Sequence, residues 1–375
     1  MKVHETIIIG AGVSGLACAR TLQKNKKDFL VISENIGGRI LESKDGQVNY
    51  GAYYVRKDYT HIKKFVKLGK RIRPENIYLY DKNKTYTLLD FRFILNSIQA
   101  MKFVFLLIKF KKHYFKFKKR SEKVSQVQAL KEDPYLINLY HQKANNFVKE
   151  RGIESFSENY VNKALWGTTF LKPEEMNSFV YLEFSLPLII PVFEFKFLKE
   201  KLISGFKKNI ISGVVTKITK KKTHYELKTK NNQYCAKNVV VAASPHISKK
   251  LLNLSKINPS VQSQMFHLKG KLKENWNRGM DLFSNKEKII AIFQQRDGSY
   301  LFYSKSKTPN FEKYFSNYKV LNHHFWNPAF NLPGNILWEC KQKKNLYLIG
   351  DHNFCGLEDS YITGIYAANQ IINSR

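Results

Sequence analysis

The sequence is poor in cysteine and in acids. Only four cysteines occur in 375 residues, Cys18, Cys235, Cys340 and Cys355, and no two of them share a CxxC spacing. That excludes a disulfide framework and a cysteine-built zinc site, and it fits a reducing, cytoplasmic compartment. An apolar strand starts at Thr6, which leaves no room ahead of it for a charged leader and a cleavage site, so no export signal is expected. Long apolar runs are missing as well. The most apolar helical stretch, Phe103–Ile108, is flanked by lysines and falls far short of the about 20 residues that a membrane span needs. Acids number 30 against 63 lysines and arginines, a formal net charge of +33. A field of that sign suits nucleic acid, an anionic membrane surface or acidic substrates. Lysine far outnumbers arginine, however, and dispersed lysines ordinarily form a solvated surface, as an AT-rich coding bias would also produce. With no basic module or recognition helix in view, nucleic acid is not an expected partner.

What is present begins at the first strand. Thr6-Ile7-Ile8-Ile9 is a continuous branched apolar run, as a buried parallel strand requires, and Gly10-Ala11-Gly12-Val13-Ser14-Gly15 follows it. In this GxGxxG, Gly10 allows the tight turn, Gly12 lets backbone approach a pyrophosphate, and Gly15 lets a helix over Ser14–Lys24 pack on the strand. The helix start supplies free N–H groups and a positive dipole end. A second strand, Phe29–Ile32, leads to Glu34, spaced as an acid that binds adenosine ribose hydroxyls. These features predict an α/β, Rossmann-type dinucleotide fold, and 43% hydrophobic residues are enough for a second domain.

The choice of dinucleotide comes from the residues that follow. Gly37-Gly38-Arg39 and then Gly51-Ala52-Tyr53-Tyr54 resemble the GGR and GAxY/W pattern of the flavin amine oxidase superfamily, which includes monoamine oxidases, protoporphyrinogen oxidases, carotenoid desaturases and renalase-like proteins. The resemblance implies backbone amides of Gly37 and Gly38 beside an FAD diphosphate, with Arg39 neutralising phosphate charge. This chain has only two residues between Glu34 and the glycine pair, fewer than the family pattern. Near mid-chain, Ser212–Ile218, Tyr225–Leu227 and Tyr234–Val241 read as strands and resemble the family's return to the nucleotide, with Val215 at the position whose backbone meets adenine. Farther on, a strand over 345–351 ends in Gly350-Asp351 and is followed by a helix. This resembles the C-terminal FAD motif, in which Asp351 accepts a ribityl hydroxyl and the amides of Leu357 and Glu358 face the flavin ring. Three matches in the family's order outweigh the ordinary turn that could explain each one alone.

The resemblance implies an FAD-binding domain built from residues 1–59, 200–255 and 336–375, and an α+β substrate domain of helices and an antiparallel sheet from 60–199 and 256–335. It implies non-covalent FAD, hydride transfer from an amine or a lipophilic or cyclic small molecule, and O2 or another electron acceptor. An NAD-dependent enzyme using only the first motif is one alternative, and a non-enzymatic basic protein that binds nucleic acid is the other. His323-His324-Phe325-Trp326-Asn327-Pro328-Ala329 resembles a stretch near the flavin in relatives, which makes Trp326 and Tyr303 candidate pocket walls. Adjacent histidines on a strand face opposite ways, so no metal is expected. Relatives that oxidise amines often use a lysine-bound water beside the flavin, a role that the resemblance would give to Lys269 or Lys271, but in a lysine-rich chain neither is assigned a catalytic role. Leu88–Ile108 has helical periodicity and Lys109–Arg120 is basic and aromatic. This segment either packs as an amphipathic helix with a solvated basic face or lies on an anionic membrane surface.

Overall fold

In the computed structural model, which describes residues 2–374 other than 82–83, 88–89, 275, 277–278, 332–333 and 335, the first apolar run becomes strand β1 (Val3–Ala11), with Ile7 and Ile8 fully buried. Helix α1 (Val13–Lys24) leads to β2 (Phe29–Ile36), and β3 (Ile210–Ser212), β4 (Gln233–Val241) and β5 (Leu346–Leu348) complete a parallel sheet in the order β5-β4-β1-β2-β3. The chain moves outward from β1 through β2 to β3, then returns on the other side of β1 as β4. That reversal opens a crevice at the carboxyl ends of β1 and β4, where ligands of doubly wound sheets bind.

The strand expected over 212–218 is in fact two. Gly213 and Val214 interrupt it, so Ile210–Ser212 joins the parallel sheet while Val215–Lys220 turns away to pair with Tyr225–Thr229 in an antiparallel meander. The strand expected over 345–351 is short, 346–348, because the chain must leave the sheet to make the loop at Gly350.

A second sheet runs in the order 315–331, 260–272, 300–304, 289–294, 280–283, 77–81, 84–87. It is antiparallel except where 280–283 meets 77–81 in parallel, a register reached only after the chain has passed through the helices and the first sheet. Helix α2 (Ser97–Ser121) buries Phe103, Leu107, Phe110, Tyr114 and Phe117 against the helices that follow it. The expected helix from 88 divides at Asn96, whose side chain accepts a hydrogen bond from Ser155 Oγ at 2.7 Å; residues 88–89 lie outside the described residues. Pro173 starts only a three-residue 3-10 turn. No helix among the described residues is long and apolar enough to cross a membrane.

Helix α3 (Leu357–Asn373) lies along α1 with Gly364 at the crossing, where a Cβ would stand 2.1 Å from the Ser14 carbonyl oxygen. The last helix and the first are thus in backbone contact. Tyr50 and Tyr53, from the loop after β2, pack instead into the core shared by the second sheet and the helices.

Candidate functional site

The carboxyl end of β1 sets the site. α1 begins at Val13 behind Gly12 with no side chain capping it, so its first amides point over the turn. β2 continues through Glu34 to Ile36 with a bulge that shifts its register, so that Ile36 pairs with Ala11, and the Gly37 amide donates to the Ala11 carbonyl at 2.8 Å. This is why two residues suffice between Glu34 and the glycine pair. Gly38 then lies on the turn itself: at φ +61° its Cβ would be 3.1 Å from the Gly12 Cα. Gly350 reaches the same place from β5, with its would-be Cβ 3.6 Å from Ser14 Oγ. Three segments far apart in sequence meet over one helix start.

On the adjoining edge, Glu34 is exposed at the end of β2, and the Gly213 amide donates to the Ser33 carbonyl at 3.3 Å. Val215, two residues on, is buried. The two residues expected on the adenosine side therefore stand on neighbouring chain segments.

Asp351 is 6% exposed, and its Oδ1 lies 2.6 Å from the Arg39 guanidinium. Burial acts to raise its pKa, but the charge and hydrogen bond of Arg39 prevail and hold the carboxyl below its ordinary value. His352 is kept neutral, lowered to about 4 chiefly by burial. The other carboxylate oxygen, Asp351 Oδ2, is buried without a partner among the described residues, as are His352 Nε2, Asn331 Oδ1 and Asn258 Oδ1. Asn331 and Asn258 belong to the same corner, since their Nδ2 groups donate to the carbonyls of Asp351 at 3.2 Å and His352 at 3.1 Å. Acceptors lacking donors beside an uncapped helix start match a phosphorylated ligand that carries hydroxyls.

The Gly51–Tyr54 loop lies behind this corner. A Cβ on Gly51 would be 1.9 Å from the Arg39 carbonyl and 3.3 Å from the Trp326 ring. Tyr53 packs on Phe293 with centroids 4.5 Å apart, and Tyr303 donates to the Tyr50 carbonyl at 2.9 Å. Trp326 and Tyr303 thus wall the loop on the second-sheet side. The two histidines do face opposite ways, His323 stacking on Phe266 and His324 meeting Trp326 edge to face. Lys269 and Lys271 are not at the site. Both are exposed and paired with Lys319 and Asn317, whereas Trp326 pairs with Ser263; the six or eight residues between place them roughly 20 Å or more along the strand.

Two networks went unread in the sequence. The Tyr50 hydroxyl meets His267 Nδ1 at 3.1 Å, His267 Nε2 meets Ser299 Oγ at 2.7 Å, and Ser299 donates to Asp297 Oδ1 at 2.5 Å. This chain leads from the loop behind Arg39, through buried His267 and Ser299, to exposed Asp297 at the end of the second sheet. The second network is at the start of α3. Tyr114, on α2, places its hydroxyl 2.9 Å from Glu183 Oε1 and 2.6 Å from Asp359 Oδ2, all three side chains buried. One hydroxyl proton cannot serve both acids, so one carboxyl keeps its own proton and donates it back to Tyr114. Burial and mutual repulsion push Glu183 up to about 8, and burial likewise raises Asp359. Arg56, which donates to the Glu183 carbonyl at 3.3 Å, and Lys118 moderate both shifts. Glu358, between them and the helix start, uses its side chain elsewhere: its carboxylate accepts from the amides of Thr60, His61 and Ile62 at 2.7, 2.8 and 3.0 Å. Only its own amide remains at the helix start. No spacing pattern announces a Glu183–Tyr114–Asp359 cluster, because its members come from three different helices.

The architecture matches solved structures along nearly its whole length. A putrescine oxidase bound to putrescine superposes with a TM-score of 0.70 at 12% identity, covering 99% of this chain and 99% of that one. The fold is that of the flavin amine oxidases. Cyclohexylamine oxidase from Brevibacterium oxydans shares the amine oxidase fold at a TM-score of 0.66 and 13% identity, covering 99% of this chain and 98% of its own. So does a conjugated-linoleic-acid-producing fatty acid isomerase from P. acnes, at 0.70 and 11%, covering 98% of each chain. Residues 8–67 match the family model of the NAD(P)-binding Rossmann-like domain. No curated protein matches the chain in sequence.

Proposed function

We propose that the chain is an FAD-dependent oxidoreductase that dehydrogenates an amine or a lipophilic or cyclic small molecule and passes the electrons to O2 or another acceptor. The observation that carries this reading is the meeting of Gly12, Gly38 and Gly350 over the start of α1, with Asp351 and Arg39 beside them. A bare NAD site needs only the first of these segments. That amine oxidases share the fold supports the substrate class, and the fatty acid isomerase with the same fold shows that the architecture alone does not select the reaction.

In this reading the amides from Val13 to Gly15 and of Gly38 hold the diphosphate, Gly37 shapes the turn because its own amide is taken by the Ala11 carbonyl, and Arg39 balances the charge. Glu34 and the backbone at Val215 take the adenosine. Asp351 Oδ2 accepts from a ribityl hydroxyl, and the amides of Leu357 and Glu358 face the ring. When bound, the flavin supplies the hydride acceptor. Tyr53, Tyr303 and Trp326 exclude water from the substrate side, while the Glu183–Asp359 pair holds a proton near the start of α3 at neutral pH. The domain division at residues 59, 199, 255 and 335 belongs to this proposal, with the substrate taken between the two parts.

Gly12 provides the test. A Cβ there meets nothing within 4 Å, whereas on Gly15 it would stand 2.0 Å from the Gly10 carbonyl oxygen. Gly12→Ala is therefore expected to fold with the melting temperature of the flavin-free wild type but to lose bound flavin, while the unaltered protein purifies yellow and is bleached anaerobically by its amine or dihydro substrate. A colourless protein that binds NAD, with Gly12→Ala weakening that binding, would replace this proposal with the nicotinamide alternative.

A further inference from the structure

Helix α2 is apolar on two sides. Its inner face is fixed in the core by Phe103, Leu107, Phe110 and Tyr114, so the outer face cannot turn inward. Along that outer face, Ile98, Met101, Phe105 and Ile108 are exposed at 68, 56, 65 and 52%, and the turn before it adds Ile94 and Leu95. The spacing is helical, so these side chains form one continuous stripe. Exposed large apolar residues scattered singly are normal, but a ridge of this kind marks a docking surface.

Charge identifies what docks. From 91 to 121 the sequence has no Asp or Glu, and the same outer face changes at Lys109 from apolar to basic, continuing through Lys112, Lys116 and Lys119. None of those last three pairs with a carboxylate among the described residues. A second copy of a chain carrying +33 would bring the same lysines against one another. An anionic surface with an apolar interior accommodates both halves of the helix at once.

We infer that α2 is a membrane-docking element, which lays its apolar N-terminal half into the acyl boundary of an anionic bilayer while its lysine-rich C-terminal half rests on the headgroups. The helix lies in the plane of the interface, held by its buried face, without spanning it. Each exposed apolar side chain contributes hydrocarbon burial, and each lysine contributes attraction that salt screens. This docking is independent of which cofactor the chain binds.

Sedimentation of the full chain with phosphatidylglycerol-containing vesicles, compared with phosphatidylcholine vesicles, tests the assignment. The chain is expected to pellet with the anionic vesicles, less so as salt rises. Ile98→Ser combined with Phe105→Ser should weaken partitioning by about tenfold for each side chain. Lys112→Gln and Lys116→Gln should each weaken it by about fivefold. All four positions are exposed, so the melting temperature should not change, and a Phe105→Trp variant should be quenched by brominated lipid acyl chains. Three results would overturn the inference: a chain that stays in the supernatant with anionic vesicles, equal binding by the Ile98/Phe105 variant, or a stable dimer that this variant splits.

Discussion

Two buried acids stand eight residues apart, Asp351 in the loop after β5 and Asp359 in the first turn of α3, and their pKa values shift in opposite directions. Asp351 touches a guanidinium and stays ionised below the usual carboxylate range. Asp359 touches a tyrosine hydroxyl and a second acid, and its pKa is raised. Burial opposes ionisation at both, so the difference lies in the partner: a cation in direct contact overcomes desolvation, whereas a neutral donor shared between two acids does not. The stretch from Asp351 to the start of α3 can thereby offer a fixed negative charge at one end and, in the Glu183–Asp359 pair, a held proton at the other.

The largest expected effect comes from breaking the ionised end. Arg39→Ala leaves Asp351 buried without its cation and should destabilise the protein by about 3 kcal/mol at neutral pH, the low end for a buried pair because the Arg39 side chain is 39% exposed. The folded pKa of Asp351 is depressed, so in the wild type this stabilisation exists above the ordinary carboxylate pKa and fades as pH falls through the depressed value. Denaturant unfolding of Arg39→Ala should therefore approach the wild type in acid, and Arg39→Ala with Asp351→Asn should recover most of the loss at neutral pH.

The protonated end predicts the reverse slope. Glu183 is raised to about 8, so its contribution is full below its unfolded pKa and is lost as pH rises through about 8. Glu183→Gln should flatten that alkaline decline and gain on the order of 2 kcal/mol above it, and unfolding curves across this window that match the wild type would refute the proton assignment. Smaller again is Tyr114→Phe, which removes the shared hydroxyl; a loss of about 1–2 kcal/mol is expected, with a steeper alkaline decline than in the wild type.

How readable each end was in the sequence follows from the same difference. Gly350-Asp351 and the two earlier glycine clusters sit at strand ends, where a close backbone approach restricts the residue type, and the pattern survives in linear spacing. Arg39 and Asp351 could be named for that reason, although their mutual contact could not. Glu183 and Tyr114 lie inside helices whose periodicity shows only that one face is buried, so nothing local distinguishes them from core neighbours. The distance of Lys269 and Lys271 from the site was hidden for a related reason: strand alternation gives a face, and only the pairing with 315–331 shows how far along the sheet a residue stands. The outer face of α2 was legible as composition but not as exposure, since its inner and outer stripes are both apolar.

The contact of Gly364 with the Ser14 carbonyl also bears on how the molecule is made. Helix α1 is covered by residues separated from it by almost the whole sequence, and β1 is flanked by β4, which comes from mid-chain. During synthesis the opening strand and helix therefore wait, partly uncovered, until residue 364 and its neighbours emerge. Nascent chains of intermediate length expose apolar surface, and the junction of α1 with the last helix is among the last parts of the fold to close.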